Sequence, residues 1–230
     1  MSAVLDPPAI SPAVVAASER FFRIPPTEPV EVAATWVEYL WLDARRDDAG
    51  SKTKLTYHCG RLELRTHSFQ TGNLSGRLAT FVLAAAVRWN VRLLTAGGTT
   101  ILRPDLEMSA EPDESFYIRN IDAVTGLRDL DHTIHPPPDL VIDLERSQSA
   151  LEKGPVFAAL GVPELWQLAD ETVTFLVRDG REEYRAQPNS RSFPAVTSAD
   201  VTRLILAEPD NDTAFFQRVL EWAKSLGPTA

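Results

Sequence analysis

Three consecutive prolines, Pro136 to Pro138, run into Asp139-Leu140-Val141-Ile142-Asp143-Leu144-Glu145. The prolines impose a stiff, non-helical approach, so the apolar run from Leu140 to Leu144 reads as a strand. In a strand alternate side chains share a face, which puts Asp143 and Glu145 on one side, roughly 7 Å apart. Leu140, Ile142 and Leu144 then face the opposite side, toward a core. Acids inside an apolar run need a physical reason. A divalent metal held at the edge of a buried sheet supplies one; a pair of acids facing solvent on a sheet edge is the alternative.

The same run ends the most acidic part of the chain. Eleven of the 32 acidic residues lie between Asp105 and Glu145, where only Arg119 and Arg128 are basic. That stretch carries the whole net charge of −9, and the other residues balance at 21 basic and 21 acidic. Long-range attraction of a polyanion is therefore disfavoured. A nuclease is not excluded, because catalytic carboxylates and their metal act locally. No apolar stretch approaches the roughly 18 residues of a membrane span. The start has no basic leader followed by an apolar block. The single Cys59 excludes an intrachain disulfide framework and fits a reducing, cytoplasmic setting.

The organisation expected is an arm over residues 1–28, interrupted by Pro7, Pro8, Pro12, Pro25 and Pro26, and one domain over 29–230. A helix is expected from Val30 to Leu42, then a charged loop from Asp43 to Lys54. Leu55, Tyr57 and Cys59 alternate, turn at Gly60-Arg61 and return through Leu62-Glu63-Leu64 as a hairpin. Asn73 caps a helix running to Trp89. Strands are expected at Val91–Leu94 and Thr99–Leu102, flanking Gly97-Gly98, and at Ser115–Ile118. A helix over 150–160 closes at Gly161 before Pro163. Strands Leu165–Leu168 and Thr172–Val177 follow, with a turn at Asp179-Gly180 and Tyr184 on the return. An amphipathic helix runs from Thr213 to Leu226. Strands in both halves with helices between them imply an α/β fold, a sheet of mixed direction covered by helices.

Two oxygen ligands on one strand suit Mg²⁺ or Mn²⁺. Asp113, in Glu111-Pro112-Asp113-Glu114, is placed to supply a third if the strand after it meets the strand at 140–145. Lys153, eight residues beyond Glu145, is placed to return its ammonium to the same edge and offset charge on a phosphate. The four histidines are scattered, and Pro136 directly after His135 spoils a helical pair with His132. Ser147 and Ser149 have no convincing histidine partner for nucleophilic chemistry.

These residues resemble a bacterial family labelled putative restriction endonuclease, the Uma family, a branch of the PD-(D/E)XK nuclease superfamily. The blocks that carry the resemblance are Leu55-Thr56-Tyr57 with Gly60-Arg61-Leu62-Glu63; Gly97 to Arg103; Glu111 to Ile118; Pro137 to Asp143; and Ala158 to Trp166. The resemblance covers about residues 30 to 205. The resemblance implies a restriction-endonuclease-like mixed sheet flanked by helices, and Mg²⁺-dependent hydrolysis of DNA phosphodiesters, by a homodimer. It implies Glu63 as a helper acid and Asp113 as a metal-binding aspartate. Asp143 stands where the family usually has glutamate, Glu145 is a further metal-binding acid, and Lys153 is the lysine moved onto the following helix. Phe157, Glu164 and Trp166 match packing and cap positions. The chain departs from the pattern after Glu63: Thr71 stands at the histidine position, with His67 four residues earlier. A nuclease-like fold serving as a non-catalytic interaction module is the competing expectation.

Overall fold

The computed structural model describes residues 10–23, 28–66, 68–145, 151–180, 183–207 and 211–226. Two β-sheets are built, where the sequence suggested one. The first has the order β1-β3-β2-β6-β5, from Val30–Ala33, Lys54–His58, Arg61–Arg65, Ile101–Arg103 and Met108–Ala110 for β1, β2, β3, β5 and β6 respectively. The second has the order β11-β10-β9-β8-β7-β4, with β4 Leu94–Thr95, β7 Glu114–Tyr117, β8 Leu140–Leu144, β9 Glu164–Ala169, β10 Thr172–Arg178 and β11 Tyr184–Gln187. The β8–β9 pair is parallel and the other pairs of this sheet are antiparallel, so the mixed sheet is as expected. The α/β architecture holds. Gly97-Gly98 is where the chain crosses from one sheet to the other, because β4 pairs with β7 while β5 pairs with β6.

The helices among the described residues are α1 Pro12–Arg23, α2 Trp36–Asp48, α3 Phe69–Arg88, α4 Ile121–Val124, α5 Lys153–Ala159, α6 Ser198–Leu206 and α7 Asp212–Ser225. Part of the segment expected to be an arm is thus helical. Val14, Ala17 and Phe21 of α1 are buried with Tyr39 and Leu42 of α2 against Leu55, Leu62 and Leu64. Val30–Ala33 is a strand, since alternating β-branched Val30 and Val32 favour the extended state. The helix starts only after Thr35, whose side chain accepts from the Glu38 N–H while Glu38 reciprocates, a capping box. It continues to Asp48, into the first half of the segment expected to be a loop from Asp43, where Arg46 pairs with Asp43 and Asp47; residues 49–53 form the loop before β2. Likewise α3 begins a turn before Asn73, capped by Ser68.

The largest core lies between one face of the second sheet and α3, α6 and α7. Leu140, Ile142, Trp166 and Phe175 meet Phe81, Val82, Leu204 and Phe215 there. On the other face, Val141 and Leu165 pack with Val156, Phe157 and Leu160 of the α5 segment and with Ile101, Met108 and Ala110 of the first sheet. Each such large side chain contributes about 1.5–3 kcal/mol by leaving water. Both faces of β8 are therefore covered, and β7 and β9 flank it. It is an interior strand rather than an edge.

Candidate active site

The two sheets meet where β3 faces the end of β8, and the ionisable residues collect at that junction. On β3, Leu62 and Leu64 enter the α1/α2 core, so by alternation Glu63 and Arg65 point the other way, toward the second sheet. Both are buried, Glu63 at 1 % and Arg65 at 5 % exposure. Asp113 enters β7 with its N–H donating to the Ile142 carbonyl at 2.9 Å, and its Oδ2 accepts from the Leu144 N–H at 2.7 Å. These bonds lock Asp113 across the end of β8, beside Asp143.

Arg65 ties the acids together. Its Nη2 lies 3.1 Å from Asp113 Oδ1 and 2.9 Å from Asp143 Oδ1, so those oxygens are at most 6.0 Å apart, the sum of the two. Its Nη1 donates to Asp113 Oδ2 and to the Leu144 carbonyl, both at 3.3 Å. Nη2 also donates to the Glu111 carbonyl at 3.3 Å. Burial opposes the guanidinium's charge, but Asp143, Asp113 and Glu63 outweigh it and its pKa rises. Lys54 Nζ stands 3.0 Å from Asp113 Oδ1, with burial pulling its pKa down against that attraction. Lys153, the first residue of α5 and 4 % exposed, brings Nζ to 3.2 Å from Glu63 Oε1 and 3.6 Å from Asp143 Oδ2.

The structure therefore gathers Glu63, Asp113, Asp143 and Lys153, drawn from four separate parts of the sequence. It does not bring Glu145 into the set. Glu145 lies one residue past β8, half-buried, with its pKa raised by burial and by Asp143 against the attraction of Lys153. It lines two clefts, of about 590 and 540 Å³. Ser68 and Thr71 line the first and Lys153 lines the second. The solvated-edge alternative fails for Asp143, which is 1 % exposed. Lys54 and Arg65 were missed by sequence reasoning. The alternation rule that pairs Asp143 with Glu145 also pairs Glu63 with Arg65, so that signal was present.

The donor chemistry fits a hard divalent ion. Two carboxylates and the Leu144 and Glu111 carbonyls surround the two Nη atoms of one guanidinium, all of them oxygen donors. Asp143 Oδ2 is buried without a hydrogen-bond partner among the described residues. As the side chains stand, however, no three Asp, Glu, His or Cys residues among those described gather to hold an ion. His132 meets the Tyr117 hydroxyl at 3.3 Å, and His135 Nδ1 accepts from the Asp131 N–H. His67, Ser147 and Ser149 lie outside the described residues.

A profile of the Uma2 family, described as putative restriction endonuclease, matches residues 36–206. The chain belongs to this family. No curated protein matches it. Among solved structures, it is similar to a putative nuclease belonging to DUF820 from Anabaena variabilis. That likeness has 14 % sequence identity and a TM-score of 0.47, covering 66 % of this chain and 91 % of the other. Among the described residues no helix is long and apolar enough to cross a membrane.

Proposed function

We propose that this Uma2-family chain hydrolyses DNA phosphodiester bonds with the help of Mg²⁺ or Mn²⁺. The observation that carries the reading is the convergence of Asp113 and Asp143 on a single cationic nitrogen, with the Lys153 ammonium beside them. Asp113 and Asp143 would hold the ion, with the Leu144 carbonyl as a further oxygen. A divalent ion there supplies Lewis-acid stabilisation of charge on a phosphoryl oxygen. Lys153 Nζ offsets the charge that builds on the phosphate and orients the attacking water. Glu63, 3.2 Å from that ammonium, positions it. Glu145, which lines both clefts, stands where a substrate strand would enter. A chain with one such site cuts both strands of a duplex most simply as a homodimer, which sedimentation velocity would reveal.

The test is cleavage of supercoiled plasmid and of single-stranded DNA with Mg²⁺, Mn²⁺ or a chelator, comparing the natural chain with Asp143→Asn. Loss of the ion should cost on the order of several kcal/mol of transition-state stabilisation, a hundredfold or more in rate. Cleavage that survives chelation, or that Asp143→Asn leaves untouched, defeats the reading. No cleavage of any substrate favours the second reading, a nuclease-fold interaction module, which the Arg65 guanidinium between the acids supports.

A further inference from the structure

We infer that Arg65 is this site's own competitor for the divalent ion, and so the residue that sets how tightly the chain binds metal. The inference rests on reading the Asp113–Asp143 seat as a metal site. The oxygens that would bind a cation are already turned onto one. Arg65 takes both Asp113 oxygens, Asp143 Oδ1 and two backbone carbonyls. A guanidinium with its ion pairs intact and a small hydrated ion cannot share that point.

Charge leads to the same conclusion. Glu63, Asp113 and Asp143 carry three negative charges, and Lys54, Arg65 and Lys153 carry three positive ones. The buried cluster is neutral as it stands, and a divalent ion added with Arg65 in place would leave two uncompensated charges in a region that water barely reaches. With Arg65 withdrawn, the ion and the two lysines carry four positive charges against three carboxylates, an imbalance of one charge instead of two. Arg65 is also held incompletely: its Nε is buried without a hydrogen-bond partner among the described residues. An unmet donor of that kind weakens its claim on the seat.

Binding of Mn²⁺ alone, followed by electron paramagnetic resonance on the full chain, tests this. Apparent affinity scales with the fraction of molecules whose seat is open, so Arg65→Met should bind Mn²⁺ roughly tenfold tighter or more. Adding Asp143→Asn to Arg65→Met should abolish the gain. Should Arg65→Met not fold, ¹⁵N NMR of the guanidinium in the natural chain serves instead. The slowly rotating Nη signals of the paired Arg65 should collapse as Mg²⁺ is titrated. Equal Asp143-dependent affinity with and without Arg65, or unchanged Nη signals at saturating Mg²⁺, overturns the competition and leaves the metal site standing. No Asp143-dependent binding by either chain at millimolar Mn²⁺ overturns the metal reading, and this inference with it.

Discussion

Asn in place of Asp113 isolates a charge effect, because Asn keeps an oxygen that can still accept from the Leu144 N–H. What disappears is the only carboxylate that pairs with Lys54 among the described residues. Arg65 retains Asp143 at 2.9 Å, so the orphaned cation is Lys54, whose side chain is 14 % exposed. Removing one member of a buried pair costs roughly 3–5 kcal/mol. A second route caps the loss, since Lys54 can shed its proton. From an ordinary pKa of 10.5, doing so at pH 7 costs about 5 kcal/mol, and burial already pulls the group down. Asp143→Asn differs, because Arg65 keeps Asp113 and Lys153 keeps Glu63. Its cost should be only about 1–3 kcal/mol, that of a weakened charge-assisted hydrogen bond. Urea unfolding followed by circular dichroism at pH 7 should therefore rank Asp113→Asn well below Asp143→Asn, with equal slopes. The sign with pH follows from Lys54: a lysine whose folded pKa lies below its unfolded value recovers stability as pH rises. The Asp113→Asn deficit should narrow between pH 7 and pH 9. A deficit under about 1 kcal/mol at pH 7, or one that widens with pH, refutes the reasoning.

Three other perturbations test the frame around the site. A Cβ at Gly98 would stand 3.2 Å from both the Pro112 carbonyl and Lys54 Nζ. Gly98→Ala should therefore destabilise by roughly 1–3 kcal/mol and weaken Mn²⁺ binding, read by thermal melting and by paramagnetic resonance. Glu164 is fully buried and accepts from Trp166 Nε1, Ser190 Oγ and the N–H groups of Arg191 and Ser192. Glu164→Ala should cost at least about 3 kcal/mol in urea unfolding, since several donors lose their acceptor together. Backbone hydrogen bonds from Thr35 and Ser11 lower the Glu38 pKa to about 2. Its stabilisation of the α1–α2 contact is present above the ordinary value of 4.5 and fades as pH falls toward 2, a dependence that Glu38→Gln should flatten in acid titrations.

Strong local signals made parts of this fold legible. Alternation about Gly60-Arg61 located the β2–β3 hairpin, and the prolines before Leu140 located β8. Gly161, in the left-handed region at φ +85°, ends the α5 turn before Pro163 as expected. Other parts were hidden because the deciding interaction is non-local. Met108–Ala110 is too short to show a period and is a strand only through its partners Ile101–Arg103 and Tyr57. Helix α6 had a local cue, Thr197 accepting from the Asp200 N–H, but its apolar face is defined by the core it enters. At the site, the placement of Asp113 beside the end of β8 followed from one strand meeting another, which β7–β8 pairing supplies. Glu145 lies one residue beyond β8, where Asp143 and Lys153 still act on it electrostatically, but it joins none of the close ion pairs that Arg65 and Lys153 make with Glu63, Asp113 and Asp143.

The buried part of the acidic stretch is neutralised from elsewhere in the chain. Four acids between Asp105 and Glu145 are buried, and each finds its partner outside its own immediate segment or along the backbone. Glu111 pairs with Arg46; Asp113 pairs with Lys54 and Arg65; Asp143 pairs with Arg65 and Lys153. Asp139 instead accepts from the Ile118 and Asn120 N–H groups at 2.7 and 2.9 Å. Most of these cations come from α2, β2 and β3, on the first sheet and the helix above it. The acids come from the second sheet and its approaches. Each sheet by itself would bury an uncompensated charge, which costs several kcal/mol per ion even after relaxation. Docking the sheets cancels those charges, so the ionic cluster is a registry device as well as a candidate site. On the proposed reading, an ion entering the seat would displace a charge that helps hold the sheets together, which would couple metal binding to the junction itself.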